Sequence, residues 1–195
     1  MTLLTDRIAA LAARLHGLAG FPVIEDDMIR LRAPGEADVD PLFALFSDHE
    51  VMRYWSRPAM QHRDEAVDYV SSIREGFAKR EFINWIIAER DTDRMSGTCT
   101  FYDIQPSHLR SGIGYAVLPA EQGRGIASQA VGLACAWGFG WLDLHRVEAD
   151  IHPDNHASRR VLERAGFQRE GLLRQRFVTP QEIQDSELYG LLAPS

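Results

Sequence analysis

The sequence contains few cysteines and no long apolar run, and each lack argues against a class of protein. Its 195 residues include only Cys99 and Cys135, which have neither a CxxC partner nor a histidine cluster nearby. They are expected to be buried small side chains in a reducing cytoplasm, not a disulfide or a metal site. No stretch approaches the ~20 apolar residues that span a bilayer. Asp6, Arg7 and Arg14 interrupt the apolar N-terminus, which argues against a secretory signal; an amphipathic transit peptide is the less favoured alternative.

The composition is that of one globular domain with an excess of acidic residues. Apolar residues make up 45% and charged residues 25% of a chain whose length suffices for one sizeable core. The 28 acidic and 21 basic residues give a net charge of −7. This balance argues against nonspecific nucleic-acid binding and mildly favours cationic partners such as amines or basic peptides.

An N-terminal helix is predicted over residues 3–19, where apolar side chains recur at intervals of three and four residues. These side chains are Leu4, Ile8, Leu11, Leu15 and Leu18. Gly20 and Pro22 follow the helix. We therefore predict a helical extension over residues 1–27 and a single domain over residues 28–195. The helix is expected to pack on the domain, while a homodimer through this helix or a sheet edge stays open.

The pattern of helices and strands changes halfway along the chain. In the first half, two helices are expected at 36–46 and 61–79, and strands at 28–31, 82–89, 96–103 and 113–118. In the second half, helices are expected at 125–140 and 155–165, and strands at 146–152, 167–178 and 187–192. The first set predicts an antiparallel meander, and the second predicts at least one parallel crossover. The expected fold class is therefore α/β (α+β) with one mixed sheet.

A glycine-rich turn between a predicted strand and a predicted helix has the features of an anion site. Gly123 and Gly125 let the backbone approach a phosphate without a Cβ in between. The helix N-terminus that follows presents free N–H groups and the positive end of its dipole. Arg124 adds a charge for a diphosphate or a 3′-phosphate. We call Gln122–Ala127 the phosphate turn.

Two other interpretations of this turn stay open on its glycines alone. An ordinary strand-to-helix turn also uses glycine. Gly123-x-Gly125-x-x-Ser128 also nearly matches a dinucleotide-binding fingerprint, with Glu148 and Asp150 near the expected offset. Four residues separate the strand from the glycines, Ser128 replaces the third glycine, and a meander precedes the turn. The dinucleotide interpretation is therefore the weaker one.

The phosphate turn matches in full the Gln/Arg-x-x-Gly-x-Gly/Ala signature of the GNAT superfamily of N-acetyltransferases. The chain resembles the RimJ/RimL-type branch of that superfamily, because further similar stretches follow in the expected order. They are Ile113-Gly114-Tyr115, Leu144-His145-Arg146-Val147-Glu148-Ala149, the segment 152–158 and the segment 161–171. The resemblance covers residues 28–192.

The resemblance implies that two parallel strands, here 113–118 and 146–152, splay apart and hold acetyl-CoA between them. Backbone groups of Tyr115–Val117 are expected to pair with the pantetheine amides as an added strand would. Gly112 and Gly114 are expected to leave room for that arm. The residues expected to bind the donor are Ala116, Val117, Gln122, Gly123, Arg124, Gly125, Ile126, Ala127, Ser128 and Asn155. Asn155 could equally serve as a helix cap.

The implied reaction is direct attack of a neutral amine on a thioester. An alkyl ammonium has a pKa near ~10, so a proton must leave through a base or a water chain. Ser111-Gly112 stands where many relatives have a carboxylate, and Leu162 stands where many have a tyrosine. Glu148 is therefore the first candidate base, with a structural ion pair as the alternative. The expected catalytic residues are Glu148, Ser158 as an acid, and Tyr115, near whose backbone the oxyanion donor is expected.

The predicted function is an acetyl-CoA-dependent N-acetyltransferase that acts on a primary amine, either a protein N-terminus or a small molecule. No metal, nucleic-acid or membrane partner is expected. A noncatalytic acyl-CoA-binding or sensor module is the alternative, and a nicotinamide-dependent oxidoreductase ranks third. The residues expected near the acceptor are His49, Glu50, Tyr54 and Trp55.

Overall fold

Eight strands form one mixed sheet in the computed structural model, which describes residues 2–179 and 182–194. The strands are β1 (Ile24–Glu25), β2 (Ile29–Arg32), β3 (Ile83–Glu89), β4 (Met95–Gln105), β5 (Arg110–Val117), β6 (Arg146–Ile151), β7 (Gln168–Val178) and β8 (Ile183–Leu192). Their order across the sheet is β1-β2-β3-β4-β5-β6-β8-β7. Strands β5 and β6 run parallel, whereas each other pair of neighbours in this order runs antiparallel. The predicted meander with a later parallel crossover is confirmed.

Helices cover both faces of the sheet. They are α1 (Thr2–His16), α2 (Val39–Ser47), α3 (His49–Met52), α4 (Arg63–Ala78), α5 (Ile126–Trp137) and α6 (His156–Arg164). One core joins α1, α5 and α6 to one face, and a smaller core joins α2, α3 and α4 to the other. Helix α5 lies close to the sheet because Ala130 and Ala134, both fully buried, form its inner face. It ends at Trp137, earlier than predicted, and a π-helical turn continues to Leu142.

The N-terminal helix is part of the main core. Leu11 and Leu15 are buried there, while Leu4 at the start of the stripe stays exposed. An ion pair of 2.8 Å joins Arg7 to Asp143, the residue just after the π-helical turn that follows α5. The structure also contains β1, which the sequence pattern did not predict because a two-residue strand has no measurable periodicity. The sheet therefore begins inside the predicted extension.

Some sequence features concern the molecule as a whole. Cys99 and Cys135 are free and buried, and burial raises the pKa of both thiols, that of Cys135 to about 12. Within the described ranges, no helix is long and apolar enough to cross a membrane. The same ranges contain no cluster of three His, Cys, Asp or Glu side chains that could hold a metal ion.

Candidate functional site

A gap opens between the two parallel strands. Pairing of β5 with β6 runs only from Arg110↔Arg146 to Gly112↔Glu148. Strand β5 continues to Val117 and remains paired with β4 on its other side. One edge of residues 113–117 therefore faces the gap without a strand partner, and its backbone groups are available to a ligand. This is the predicted splay.

The phosphate turn lies where β5 leads into α5. Gly125 caps the helix with φ of 83°, and Gly123 has φ of 78°. Both lie in the left-handed region that glycine adopts without strain, and nothing lies within 4 Å of the place where either Cβ would be. The first N–H groups of α5 have no partner within the helix, so they can donate to an anion.

A cleft of about 350 Å³ connects the phosphate turn, the unpaired edge of β5 and the start of α6. Every predicted donor-binding residue lines this cleft except Arg124: Ala116, Val117, Gln122, Gly123, Gly125, Ile126, Ala127, Ser128 and Asn155. Arg124 instead pairs with Glu121, a carboxylate that is 3% exposed and also contacts Arg94 at 2.9 Å. Burial of Glu121 requires cationic partners, which explains where the Arg124 side chain goes.

Hydrogen bonds cap the start of α6 and join it to β5. The Asn155 side chain caps the helix, because its Oδ1 accepts a hydrogen bond from the Ser158 N–H at 3.0 Å. The Tyr115 hydroxyl donates to the Ser158 carbonyl oxygen at 3.1 Å. Burial raises the pKa of Tyr115, which keeps this hydroxyl protonated as a donor. Tyr115, Asn155 and Ser158 all line the cleft. Asn155 therefore caps α6 and also lies among the predicted site residues.

Glu148 lies at the last position of β6 that pairs with β5, on the sheet face away from α5. Its two carboxylate oxygens accept hydrogen bonds from Arg110 at 2.5 Å and from Arg146 at 2.7 Å. It is not among the residues that line the cleft. The structural ion pair weighed as an alternative is therefore present, while a role for Glu148 as base stays a prediction.

Gly112, one of the small residues of β5, makes room for a neighbouring side chain. A Cβ at Gly112 would lie 2.5 Å from the ring of Tyr102, so this glycine makes room for a tyrosine of β4. The neighbouring Ser111 hydroxyl donates to the Tyr102 carbonyl oxygen at 3.1 Å. Leu162 is fully buried in the main core. Ser111-Gly112 and Leu162, the two departures from the family pattern, therefore provide no ionisable group where many relatives have a carboxylate and a tyrosine.

Comparison with known proteins identifies the family. The family model described as Acetyltransferase (GNAT) domain matches residues 29–168, which is most of the chain. The chain belongs to the GNAT family of acetyltransferases. Its enzyme class is that of an acyl-CoA-dependent acetyltransferase, as predicted.

Individual relatives agree with this assignment. The N-acetyltransferase YoaA of Bacillus subtilis is 33% identical over 174 residues, which span 89% of this chain and 98% of YoaA. RimJ of Mycobacterium smegmatis, solved with CoA-disulfide, shares the fold at TM-score 0.78 and 22% identity over 88% of this chain and 79% of that one. Spermidine N-acetyltransferase of Vibrio cholerae, solved with CoA and spermine, gives 0.75 and 20% over 86% and 97%.

The acetyltransferase also has cleft residues that the sequence interpretation missed. Arg160 and Arg164 line the cleft together with Ala157 and Val161, all on one face of α6. Their spacing of three and four residues carried the signal, because it places both arginines above the cleft on the same helix face. The site residues predicted from the sequence include Ser158 but none farther along this helix.

The expected acceptor residues divide between two cavities. Glu50, Tyr54 and Trp55 line the cleft of the acetyltransferase, whereas His49 lines a neighbouring cavity. The Tyr54 ring stacks on His152, which follows β6, with 5.0 Å between the ring centroids. Helix α3 and the loop after it therefore also line the cleft.

Proposed function

We propose that the acetyltransferase uses acetyl-CoA as its donor and acetylates a primary amine, either a protein N-terminus or a small amine, by direct attack on the thioester. The observation that carries this proposal is the single cleft that joins the phosphate turn to the unpaired edge of β5. A cleft of this shape suits a long ligand with a diphosphate at one end and amide groups along its arm.

The donor contacts follow from the chemistry of each part of the cleft. The N-terminus of α5 and the two glycines of the phosphate turn would receive the pyrophosphate. Arg160 and Arg164 replace Arg124 as the residues expected to pair with a terminal phosphate, because they are exposed at the cleft and no ion pair engages them in the described part of the chain. Backbone groups of Tyr115–Val117 would pair with the pantetheine amides.

The transfer step needs a deprotonated amine, a donor to the oxyanion and an acid for the thiolate. A backbone N–H on the free edge near Tyr115 is the proposed oxyanion donor. Ser158, at the first turn of α6, is the proposed acid. The ammonium proton would leave through Glu148 or through a chain of waters. The acetyl carbon forms a bond to the amine nitrogen as its bond to sulfur breaks, and the thiolate takes up a proton.

Calorimetric titration with acetyl-CoA tests the donor site with a matched pair of variants. Gly125→Glu puts a bulky anion where the pyrophosphate is expected, whereas Gly132→Glu makes the same change on an exposed position of the same helix. We expect the unmodified protein and Gly132→Glu to bind acetyl-CoA, and Gly125→Glu to lose binding. Equal binding by both variants would rule out this position of the pyrophosphate. Binding without turnover of any amine would favour the sensor alternative.

A further inference from the structure

A second cavity adjoins the donor cleft on its acceptor side. It has a volume of about 210 Å³ and lies between α3 with the loop after it and three residues near the adjoining ends of β7 and β8, Thr179, Glu182 and Gln184. Its lining consists of His49, Met52, Arg53, Trp55, Arg57, Pro58, Ala59, Thr179, Glu182 and Gln184. Trp55 lines both the cavity and the donor cleft, so the two meet at this aromatic side chain.

Arg57 is held in this cavity by aromatic rings. The carbon at the centre of its guanidinium lies 4.4 Å from the ring centroid of Phe46, 4.9 Å from that of Tyr69 and 5.6 Å from that of Trp55. Such contacts stabilise the cation and fix its orientation. They supply no ordinary hydrogen-bond acceptor, and Nη2 of Arg57 is buried without a partner among residues 2–179 and 182–194. Nη2 itself is shielded from solvent, so an anion in the cavity would meet the other nitrogens of the Arg57 guanidinium, which have no hydrogen-bond partner within the described ranges.

The cavity has a positive charge balance in a chain whose net charge is −7. Among the described lining residues, Arg53 and Arg57 stand against one carboxylate, that of Glu182, with His49 beside them. Glu65, outside the lining, is a further carboxylate whose charge acts on Arg57. The carboxylate of Glu182 accepts a hydrogen bond from Gln184 at 3.1 Å. Arg53 approaches Glu50 only at 3.8 Å, with both side chains largely exposed, which is a weak interaction.

We propose that this cavity binds a carboxylate of the acceptor, with Arg57 as its anchor. The acceptor would then be an amine that carries an acidic group, such as an acidic peptide or an amino acid, and not a polyamine. Its carboxylate would lie in the cavity and its amine would pass Trp55 into the donor cleft. Arginine suits this task because its fork of donors matches a carboxylate in two places. This inference rests on the proposed function.

The test compares amines that differ only in one charge. The probes are the C-terminally amidated tripeptides Ser-Glu-Ala and Ser-Gln-Ala, the pair β-alanine and β-alaninamide, and spermidine, each assayed with acetyl-CoA. We expect kcat/KM for the acid to exceed that for its amide by about tenfold in at least one pair. The peptide pair and the amino-acid pair distinguish the two sources of the carboxylate. Equal rates within both pairs, no turnover of any acid, or preference for spermidine would overturn the inference.

Variants locate the effect at Arg57. In Arg57→Gln the ratio of acid to amide should fall to about one, and Arg53→Gln should reduce it in part. Arg174→Gln, an exposed change on β7 outside both cavities, should leave the ratio unchanged. A ratio that survives in Arg57→Gln contradicts the proposal.

Acetyl-CoA titration of each variant separates the two levels of the proposal. Loss of donor binding by the unmodified protein would overturn the proposed function itself. Intact donor binding without charge discrimination would overturn only the carboxylate site. If Arg57→Gln does not fold, as judged by its thermal transition, the result for Arg53→Gln decides the question.

Discussion

The two halves of the active-site region are built in different ways. The donor half consists of β5, the phosphate turn, α5, β6 and α6, which follow one another along the chain. The binding groups proposed for it belong to the backbone: a helix N-terminus, two glycines with positive φ and an unpaired strand edge. The proposed acceptor half combines α3 and the loop after it with residues at the adjoining ends of β7 and β8, segments far apart in sequence. The binding groups proposed there are side chains.

This difference explains why the sequence predicts the donor half and not the acceptor half. Backbone conformations with positive φ restrict the choice of residue strongly, so a turn of that kind leaves a short, recognisable motif. A cavity lined by side chains from distant segments places no such demand on any single position. Under the proposed function, the fold therefore fixes the donor site, whereas individual side chains decide the acceptor.

The largest stability effect is expected from Glu148→Gln, at the point where the strands part. Arg110 and Arg146 would each lose a charged partner, and we expect unfolding to become easier by about 1–3 kcal/mol, as measured by urea denaturation. If the ion pairs are the main role of Glu148, kcat should fall by less than ~10-fold, with an unchanged pH profile.

The opposite pattern would contradict this expectation. A fall in kcat of ~100-fold or more, with little change in stability, would make Glu148 the base. The donor half would then contain the acid–base chemistry as well as the binding groups. The difference between the two halves would be reduced to the recognition of the acceptor.

A smaller effect is expected from a pair of alanine substitutions in α5. Gly125→Ala forces a Cβ into the left-handed region and should cost about 1–2 kcal/mol of stability, with weaker acetyl-CoA binding. Gly132→Ala replaces an exposed glycine in the same helix and should stabilise by up to ~1 kcal/mol. Unfolding curves and titrations measure both. Equal behaviour of the two variants would show that the donor half does not depend on backbone conformation.

Periodicity predicted most of the sheet and the crossover, because it reports on the backbone. The family resemblance that begins at the glycine motif predicted residues that line the cleft, Arg124 excepted. The sequence did not predict where long charged side chains go. Arg124 belongs to the motif, yet it pairs with the buried Glu121, and this pairing depends on tertiary contacts. Arg57 sits among rings from α2, α4 and a loop, which no local pattern brings together. Strand β1 was missed because two residues have no period.

The smallest effect on stability is expected just after the π-helical turn that follows α5, where Arg7 of α1 pairs with Asp143. The hydrogen bond from Arg7 lowers the pKa of the Asp143 carboxyl below its usual range in the folded protein. A group with a lowered folded pKa stabilises the fold above its unfolded pKa, near ~3.9, and loses that contribution as the pH falls. Asp143→Asn should therefore destabilise the protein by at most ~1 kcal/mol at neutral pH, because both side chains are about one-third exposed.

Urea unfolding of Asp143→Asn and the unmodified protein, compared at neutral pH and at about pH 3, measures this contribution. The difference between the two proteins should shrink as the pH falls, because protonation of Asp143 removes the same charge that the substitution removes. Acetyl-CoA affinity should stay the same, since the backbone of the donor half does not depend on this contact. A difference that grows toward low pH would contradict the ion pair. A loss of donor affinity would show that the N-terminal helix helps to position α5, and the donor half would then extend to α1.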